Sequence, residues 1–297
     1  MSADLQALGV SFARHLKAEG KAERTRTLYL QSVRFYSRWL EGRGVAPTLD
    51  ALTRDNVREW LAYLSDHHRP ATVKTRHRGL FRFCRWLVEE GELDKHPMQN
   101  LAPPTLPAEP VPVLTDEQLA ALLKAAGGRT FEDVRDTAMM RLFLDCGLRV
   151  SELCGLTVEA VDLDNEYALV RGKGGKVRPV YFSARTVAAL DRYLRRRREH
   201  RYAGLSALFL SQRGEMTPDG VRERVKVLGE RAGVPDLHPH RFRHTWAHDF
   251  LMSGGQERDL KRLAGWTSDA MLERYGASAA DARARAAAQR LRRGDRV

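Results

Sequence analysis

The sequence has 297 residues, more than a single hydrophobic core usually organises, so two domains are expected. Hydrophobic residues make up 43% and charged residues 30%, and no apolar run approaches the roughly 20 residues that cross a bilayer, which argues against a membrane protein. Lysine and arginine outnumber aspartate and glutamate by 50 to 38, and the net charge of +12 favours a nucleic-acid partner, with plain solubility charge as the alternative.

Residues 1–100 are predicted to form a bundle of four short helices. Apolar residues recur at helical spacing from Leu5 to Leu16, from about Thr25 to Glu41, after Thr53, and from Pro70 to Gly91. A threonine suits a helix N-cap and a proline suits a first helical turn, so Thr53 and Pro70 mark two of the starts. Basic side chains cover the exposed faces, and the candidates for nucleic-acid contact among them are Arg24, Arg26, Lys74, Arg76 and Arg78.

Residues 101–112 are predicted to be a linker, because the segment Leu101–Leu114 holds five prolines and shows no helical period. The second domain, residues 113–297, opens with a capping box at Thr115 and Gln118. A helix is expected from about Asp133 to Cys146, ended by a glycine.

One region of the second domain alternates like β-strands on both sides of Gly174-Gly175, which predicts a hairpin. Helical patterns return after it and continue into an Ala/Arg-rich tail; they cover residues 184–201, 218–232, 240–252, 256–263 and 268–275. The predicted fold class is therefore mainly α with a small antiparallel β-sheet.

Four separated segments carry side chains that suit phosphate chemistry. CGLRVSEL places Arg149 just after a helix-ending glycine, and RGKGGKVRPV places Lys173 at a hairpin tip, although either could be an ordinary surface residue. HPHRFRHTWAH puts His240 and Arg243 three residues apart, on one helical face. LAGWTSDAMLERYG carries a tryptophan and, nine residues later, Tyr275, a pair that in isolation would more often be core residues.

In combination and in this order, the segments resemble the tyrosine recombinase (phage integrase) family. The family's glycine–hydrophobic–arginine motif falls on Gly147–Arg149, its hairpin lysine on Lys173, and its His-x-x-Arg-His box on His240–His244. Its last box aligns Leu263–Trp266 ahead of Tyr275 with the expected gap. The N-terminal bundle also looks like the family's core-binding domain, so the resemblance covers nearly the whole chain.

The resemblance implies a site-specific DNA recombinase that cleaves and rejoins strands through a covalent 3′-phosphotyrosyl intermediate, with Tyr275 as the nucleophile. Arg149 and Arg243 would clamp the charge that develops on the two non-bridging oxygens. His240 would accept the phenolic proton, and Lys173 would donate a proton to the leaving 5′-oxygen. No metal or nucleotide cofactor is implied, because the phosphotyrosyl bond conserves the energy of the phosphodiester.

Two positions depart from the family's pattern, and others are assigned supporting roles. Trp266 stands where most members carry histidine, and it is expected to hydrogen-bond a phosphate oxygen and to pack the site. Ala277 stands where a further histidine is common. Glu152 and His244 are expected to orient neighbouring catalytic side chains. The hairpin adds two more candidates for DNA contact, Lys176 and Arg178.

The implied partner is double-stranded DNA, gripped by the two domains as a C-shaped clamp that contacts mainly phosphates. The resemblance also implies a homo-tetramer on two DNA sites, or a hetero-tetramer with a second recombinase, with room for accessory proteins. The tail after Tyr275 would be a helix donated to a neighbouring protomer, or else a solvated tail. The three cysteines lack metal-ligand spacing and the N-terminus lacks a secretory signal, so a cytoplasmic, nucleoid-associated protein is expected.

Several alternatives stay open at this point. A type IB topoisomerase-like enzyme would relax DNA with a similar set of residues, and a non-catalytic DNA-binding regulator would retain the fold. His240, His244 and His248 recur every four residues near His238, which also suits zinc, although the helix lacks a His-Glu-x-x-His arrangement. The run Arg195–Arg198 is either a phosphate contact or the solvated end of a helix. Acidic-residue transposases are disfavoured, because no three carboxylates form a clear metal-holding group.

Overall fold

The computed structural model describes residues 3–103, 112–291 and 294, with the side chains in those ranges other than those of residues 173, 270, 273–279, 281 and 282. Contacts divide the chain into two compact units, Met1–Ala108 (unit 1) and Glu109–Val297 (unit 2). Part of the expected linker lies outside the described residues, so the domain boundaries at 100 and 113 stay a prediction. No helix in the described ranges is long and apolar enough to cross a membrane.

Unit 1 is a bundle of helices. Its described helices are α1 (Leu5–Ala18), α2 (Glu23–Glu41), α3 (Arg54–His67) and α4 (Pro70–Glu89). Thr53 caps α3 by accepting the backbone N–H of Asn56, and Pro70 occupies the first turn of α4. The apolar stripes of the helices meet in a core whose largest side chains are aromatic; they include Phe12, Tyr36, Trp60, Phe83 and Trp86.

Helices α2 and α4 approach each other closely at Gly79. A Cβ at this position would lie 2.2 Å from Oγ of Ser32 and 3.2 Å from Cα of Tyr29, so the approach requires glycine. Nearby, the guanidinium carbon of Arg76 lies 4.1 Å from the ring centroid of Phe35, a cation–π contact between the two helices. The two helices that carry the five basic candidates of unit 1 are therefore tightly packed together.

Unit 2 is mainly helical with small antiparallel sheets, which confirms the predicted fold class. Its described α-helices are α5 (Asp116–Ala126), α6 (Phe131–Cys146), α7 (Val150–Cys154), α8 (Ala184–Arg197), α9 (Pro218–Arg231), α10 (Pro239–Met252), α11 (Glu257–Ala264) and α12 (Asp269–Leu291). A three-stranded antiparallel sheet has the order β1 (Val161–Asp162), β2 (Tyr167–Arg171), β3 (Val177–Tyr181). A second sheet, which was not predicted, pairs β4 (Leu210–Ser211) with β5 (Gly214–Glu215).

Helix α6 runs through the main core of unit 2. Many of its side chains are buried, as expected of a helix covered on several faces; the apolar ones include Ala138, Met139, Met140, Leu142 and Phe143. It begins at Phe131, two residues before the predicted start, because Thr130 and Asp133 form a capping box. It ends at Gly147, as predicted, where the backbone is left-handed with φ of 54°.

Two further helices of unit 2 differ from the prediction by more than one residue. Helix α8 ends at Arg197 instead of residue 201, because the following turns fold back over the Arg197 side chain. That guanidinium is buried and donates to four backbone carbonyls, those of Ala203, Leu205, Ala207 and Leu208. Both predicted alternatives, a phosphate contact and a solvated helix end, are therefore wrong for Arg197. Helix α12 joins the predicted 268–275 helix and the alanine-rich tail into one element, as alanine's helix propensity favours.

Candidate active site

Arg149 is positioned by the sharp turn between α6 and α7. Gly147 has no room for a side chain, since a Cβ there would lie 2.3 Å from Cε3 of Trp246, and its left-handed backbone favours glycine. The Gly147 carbonyl accepts a 2.6 Å hydrogen bond from Nη1 of Arg243, on α10. Arg149 follows at the N-cap of α7, and its side chain is 29% exposed. The turn thus brings one partly exposed arginine close to one buried arginine.

Glu152 lies behind Arg149 and binds two guanidinium groups. Its side chain is 1% exposed, and Oε2 accepts the backbone N–H of Arg149 at 2.9 Å while Oε1 accepts from Arg149 Nη1 at 2.7 Å. Nη1 and Nη2 of Arg178, on β3, donate to the same two oxygens at 2.8 and 3.1 Å. Burial alone would raise the pKa of Glu152, but the hydrogen bonds and charges of the two arginines outweigh it and lower the pKa. Glu152 is therefore held as a carboxylate.

The C-terminal end of α11 meets three arginines. Arg243 is 1% exposed, and its Nη2 donates to the carbonyl of Ala264 at 2.6 Å. Arg149 Nη1 lies 3.5 Å from the same oxygen, and Arg178 Nε donates to the carbonyl of Leu263 at 2.7 Å. The last carbonyls of a helix lack partners within the helix and carry partial negative charge, so cationic donors stabilise them. Side chains from three separate segments are thereby held at one point.

Trp266 follows the left-handed Gly265 that ends α11. It is 6% exposed and belongs to a small buried cluster, here called the satellite core, which consists of Ala247, Leu251, Leu260, Ala264 and Trp266. The guanidinium carbon of Arg243 lies 5.4 Å from its ring centroid. Trp266 therefore packs α10 and α11 together and lies against a candidate phosphate ligand, while its hydrogen bond to a phosphate oxygen stays a prediction.

His240 and His244 lie one turn apart on α10 and differ in exposure. His240 is exposed in the first turn, and its ring centroid lies 6.4 Å from that of His238, whereas His244 is 6% exposed. The exposed ring of His240 is accessible to a substrate, while the supporting role of His244 stays a prediction. Across residues 3–103 and 112–291, no group of three or more His, Cys, Asp or Glu side chains could hold a metal ion.

Lys173 and Tyr275 have described backbones, but their side chains lie outside the described residues. Lys173 begins the short turn Lys173–Gly175, which joins β2 to β3. Tyr275 lies in the second turn of α12, which packs against α10. The proton donor and the nucleophile expected from the sequence are thus in elements next to the arginines, and their exact contacts stay predictions.

Two family models match the chain. The phage integrase family model matches residues 112–282, more than half of the 297 residues. The chain belongs to this family. The model of the phage integrase N-terminal SAM-like domain matches residues 9–91, which lie within unit 1.

Similar proteins agree with this assignment. Tyrosine recombinase XerC of Myxococcus xanthus is 31% identical over 272 residues, which cover 89% of this chain and 90% of the relative. Tyrosine recombinase XerD of Pseudomonas aeruginosa is 33% identical over 256 residues, which cover 83% and 84%. The Tn1549 transposon integrase, solved in complex with transposon right end DNA, shares the fold, with a TM-score of 0.73, 22% identity, and coverage of 98% of this chain and 99% of that one.

The protein is accordingly a tyrosine recombinase of the Xer type, an enzyme that breaks and rejoins DNA strands in site-specific recombination. These relatives give no support to the two alternatives, DNA relaxation and non-catalytic regulation.

The recombinase's candidates for DNA contact in unit 1 lie on α2 and α4. Arg24 and Arg78 are exposed, while Arg26 and Lys74 are partly buried. Arg76 is also partly buried, over Phe35, and burial lowers its pKa. Contact of these side chains with DNA stays a prediction.

The hairpin candidates separate into two kinds. Lys176 is exposed beside the turn, as a DNA contact requires. Arg178 instead points into the recombinase, toward Glu152 and the Leu263 carbonyl, so we reassign it from a DNA contact to a contact within the site. The alternation of side chains along β3 could have predicted that Arg178 points inward, because Arg178 shares a face of the strand with the buried Val180.

Proposed function

We propose that Arg149 and Arg243 bind the two non-bridging oxygens of the scissile phosphate while Tyr275 attacks the phosphorus. The observation that carries this proposal is the meeting of both guanidinium groups at the carbonyl of Ala264. Paired N–H donors that keep their protons suit the two oxygens and stabilise the charge that grows there in the transition state. Glu152 supports this role, since it holds Arg149 from behind.

The proposed reaction conserves the phosphodiester. The Tyr275 oxygen forms a bond to phosphorus as the bond to the 5′-oxygen breaks, which leaves a 3′-phosphotyrosyl ester and a free 5′-hydroxyl. His240 accepts the phenolic proton, since imidazole titrates near neutral pH, and Lys173 donates a proton to the departing oxygen. A 5′-hydroxyl from another strand then attacks the ester, and the proton transfers run in reverse. The scheme uses no metal and no nucleotide cofactor.

The connections of α12 support Tyr275 as the nucleophile. Its helix packs against α10, which carries His240 and Arg243. At its start, Asp269 accepts a 2.6 Å bond from Nζ of Lys261, on α11. The tyrosine's helix is thus tied to α10, which carries the proposed proton acceptor and one proposed phosphate ligand, and to α11, whose last carbonyl oxygen lies against both proposed phosphate ligands.

The proposal extends to partners and location. Both units would hold double-stranded DNA as a C-shaped clamp, with the domains divided at residues 101–112. A homo-tetramer on two DNA sites, or a hetero-tetramer with a second recombinase, suits the reaction, because two duplexes carry four strands to be cut. Residues 284–291 are exposed and would reach a neighbouring protomer. Accessory proteins would join this complex in the cytoplasm, at the nucleoid.

Trapping of the covalent adduct tests the proposed nucleophile. Wild type, Tyr275→Phe and a control, Tyr202→Phe, are mixed without added metal with nicked suicide DNA fragments from the source genome. A denaturing gel then detects protein on a 3′ end. We expect an adduct from wild type and the control and none from Tyr275→Phe.

The same assay tests the two arginines, and two of its possible outcomes would contradict the proposed function. Arg149→Ala or Arg243→Ala should slow adduct formation by about 10²- to 10³-fold, the usual cost of removing one transition-state donor. An adduct from Tyr275→Phe would mean that another residue is the nucleophile. Strong DNA binding without any adduct would argue against cleavage by this protein alone.

A further inference from the structure

Arg178 joins three elements of the site through one guanidinium group. Its side chain is 12% exposed, on the face of β3 that also carries the buried Val180. Nη1 and Nη2 form a two-pronged pair with Glu152, on α7, and Nε donates to the carbonyl of Leu263, at the end of α11. All three nitrogen atoms of the side chain are therefore engaged within the protein.

Two glycines, Gly172 and Gly265, lie beside the ion pair of Arg178 and Glu152. Gly265 has φ of 64°, and a Cβ built on it would lie 3.3 Å from Nε and 3.4 Å from Cζ of Arg178. A Cβ on Gly172 would lie 3.6 Å from Oε1 of Glu152 and 3.7 Å from Nη1 of Arg178. The ends of β2 and α11 therefore lie close to the ion pair of Arg178 and Glu152, near enough that a side chain at either glycine would touch it.

Arg178 affects Arg149 through the negative charge of Glu152, which contacts both arginines. The carboxylate is buried against the guanidinium that is proposed to bind a phosphate. An unbalanced negative charge there would weaken the attraction of Arg149 for an anion, because charges interact strongly at short range away from water. The two-pronged bond from Arg178 balances the carboxylate. Arg149 can then be held by Glu152 and still present its positive charge to DNA.

We propose that Arg178 is a positioning residue: by orienting and neutralising Glu152, it fixes Arg149 and leaves the charge of Arg149 available to the scissile phosphate. This inference rests on the proposed role of Arg149 as a phosphate ligand. Two other accounts predict different behaviour. In one, Arg178 acts through the hairpin on Lys173; in the other, it only stabilises the fold.

Cleavage of three suicide substrates separates these accounts. The first has an ordinary scissile phosphodiester. The second has a methylphosphonate, in which an uncharged methyl group replaces one non-bridging oxygen, so the linkage is neutral and needs no cationic clamp. The third has a 5′-bridging phosphorothiolate, whose sulfur leaves without a proton and so relieves the need for a general acid. The variants are Arg178→Gln, Arg178→Lys and a matched control, Arg185→Gln, an exposed arginine on α8.

Single-turnover rates are measured at saturating DNA, with urea unfolding of each variant alongside. Arg178→Gln should slow cleavage of the phosphodiester by about 10- to 100-fold, the range for side chains that support a site's ligands. The loss should largely disappear on the methylphosphonate and persist on the phosphorothiolate. Arg178→Lys keeps the charge and loses the fork, so its loss should be smaller, and it replaces the glutamine variant if that one unfolds. Arg185→Gln should match wild type on all three.

Four outcomes would overturn the inference. If the cleavage rate of Arg178→Gln recovers on the phosphorothiolate alone, Arg178 acts through the hairpin on Lys173. If the rate falls equally on all three substrates, Arg178 only stabilises the fold. An unchanged rate would leave it no role in cleavage, and a lysine variant as slow as the glutamine variant would remove the charge argument.

Arg149→Ala, measured in parallel, separates this inference from the proposed function. If its loss is recovered on the methylphosphonate and that of Arg178→Gln is not, Arg149 remains a phosphate ligand and the inference about Arg178 fails. If the loss of Arg149→Ala is not recovered on the methylphosphonate, the proposed role of Arg149 itself fails.

Discussion

Glu152 is a buried carboxylate whose ionisation depends on its neighbours. Burial opposes the charge, but the hydrogen bonds from Arg178 and from the Arg149 backbone, with both positive charges, lower the pKa of Glu152 below its ordinary value of 4.5. Because the folded pKa lies below the unfolded one, the stabilisation by this carboxylate is fully present above about pH 4.5 and is lost as the pH falls through the folded pKa. A fall in pH therefore weakens the ion pairs that Glu152 forms with Arg149 and Arg178.

Glu152→Gln is expected to destabilise the recombinase most at neutral pH. An amide cannot balance the two guanidinium groups, so the free energy of unfolding should fall by about 3–5 kcal/mol at pH 7. The difference from wild type should shrink as the pH falls below 4.5, since wild type then loses the same charge. Urea unfolding at a series of pH values measures this, with the exposed Glu159→Gln as the control. A difference that stays constant far below pH 4.5 would contradict the role given to the carboxylate.

The role of a residue could be predicted where the residue belongs to a short sequence motif. It could not be predicted where the side chain forms hydrogen bonds with a distant part of the chain. The catalytic candidates occur in such motifs, and the structure brings Arg149 and Arg243 together. The partners of Arg178 lie 26 and 85 positions away in sequence, and no local pattern predicts such bonds. Arg197 was treated as one of four equal arginines, although it falls on the buried stripe of α8 with Leu190 and Tyr193.

Helix ends were predictable where the capping residues are neighbours in sequence. Thr115 and Gln118 form the expected reciprocal bonds, and Gly147 takes the left-handed conformation that ends α6. The box at Thr130 was missed because Asp133 stands where the usual pattern has glutamate or glutamine. Strands β4 and β5 have two residues each, too few to show alternation, so the second sheet could not be read from a pattern.

The same substitution at two helical glycines should have opposite effects. At Gly79 a Cβ would clash with Ser32 between α2 and α4, so Gly79→Ala should lower the free energy of unfolding by about 1–3 kcal/mol. At Gly9, inside α1, a Cβ would meet nothing within 4 Å, so Gly9→Ala should raise it by about 0.5–1 kcal/mol. Urea unfolding with hydrogen exchange of the helix amides measures both. Two effects of the same sign would contradict this account of the helix crossing.

The arrangement of α10, α11 and α12 depends on few apolar contacts. The satellite core consists of four alanine and leucine side chains and one tryptophan, with Met271 and Leu272 of α12 packed on it. The ion pairs Lys261–Asp269 and Arg283–Glu257 lie near the surface and add little stability. Residues 284–291 are exposed along every turn. The distal part of α12 therefore contributes little to the fold of unit 2, and its exposed alanines suit a surface on another protomer.

Deletion of the residues after Ala280 tests this use of the tail. Residues 284–291, which the deletion removes, are exposed, so the free energy of unfolding should change by less than about 1 kcal/mol, and binding to DNA with one site should not change. Cooperative binding to DNA with two sites should fall, because protomers would lose a shared contact. Gel-shift titrations on both DNAs measure this. The control, Glu257→Gln, removes the partner of Arg283 but keeps the tail, and should bind like wild type. Full cooperativity in the truncated protein would mean that α12 ends as a solvated helix and that the assembly depends on other surfaces.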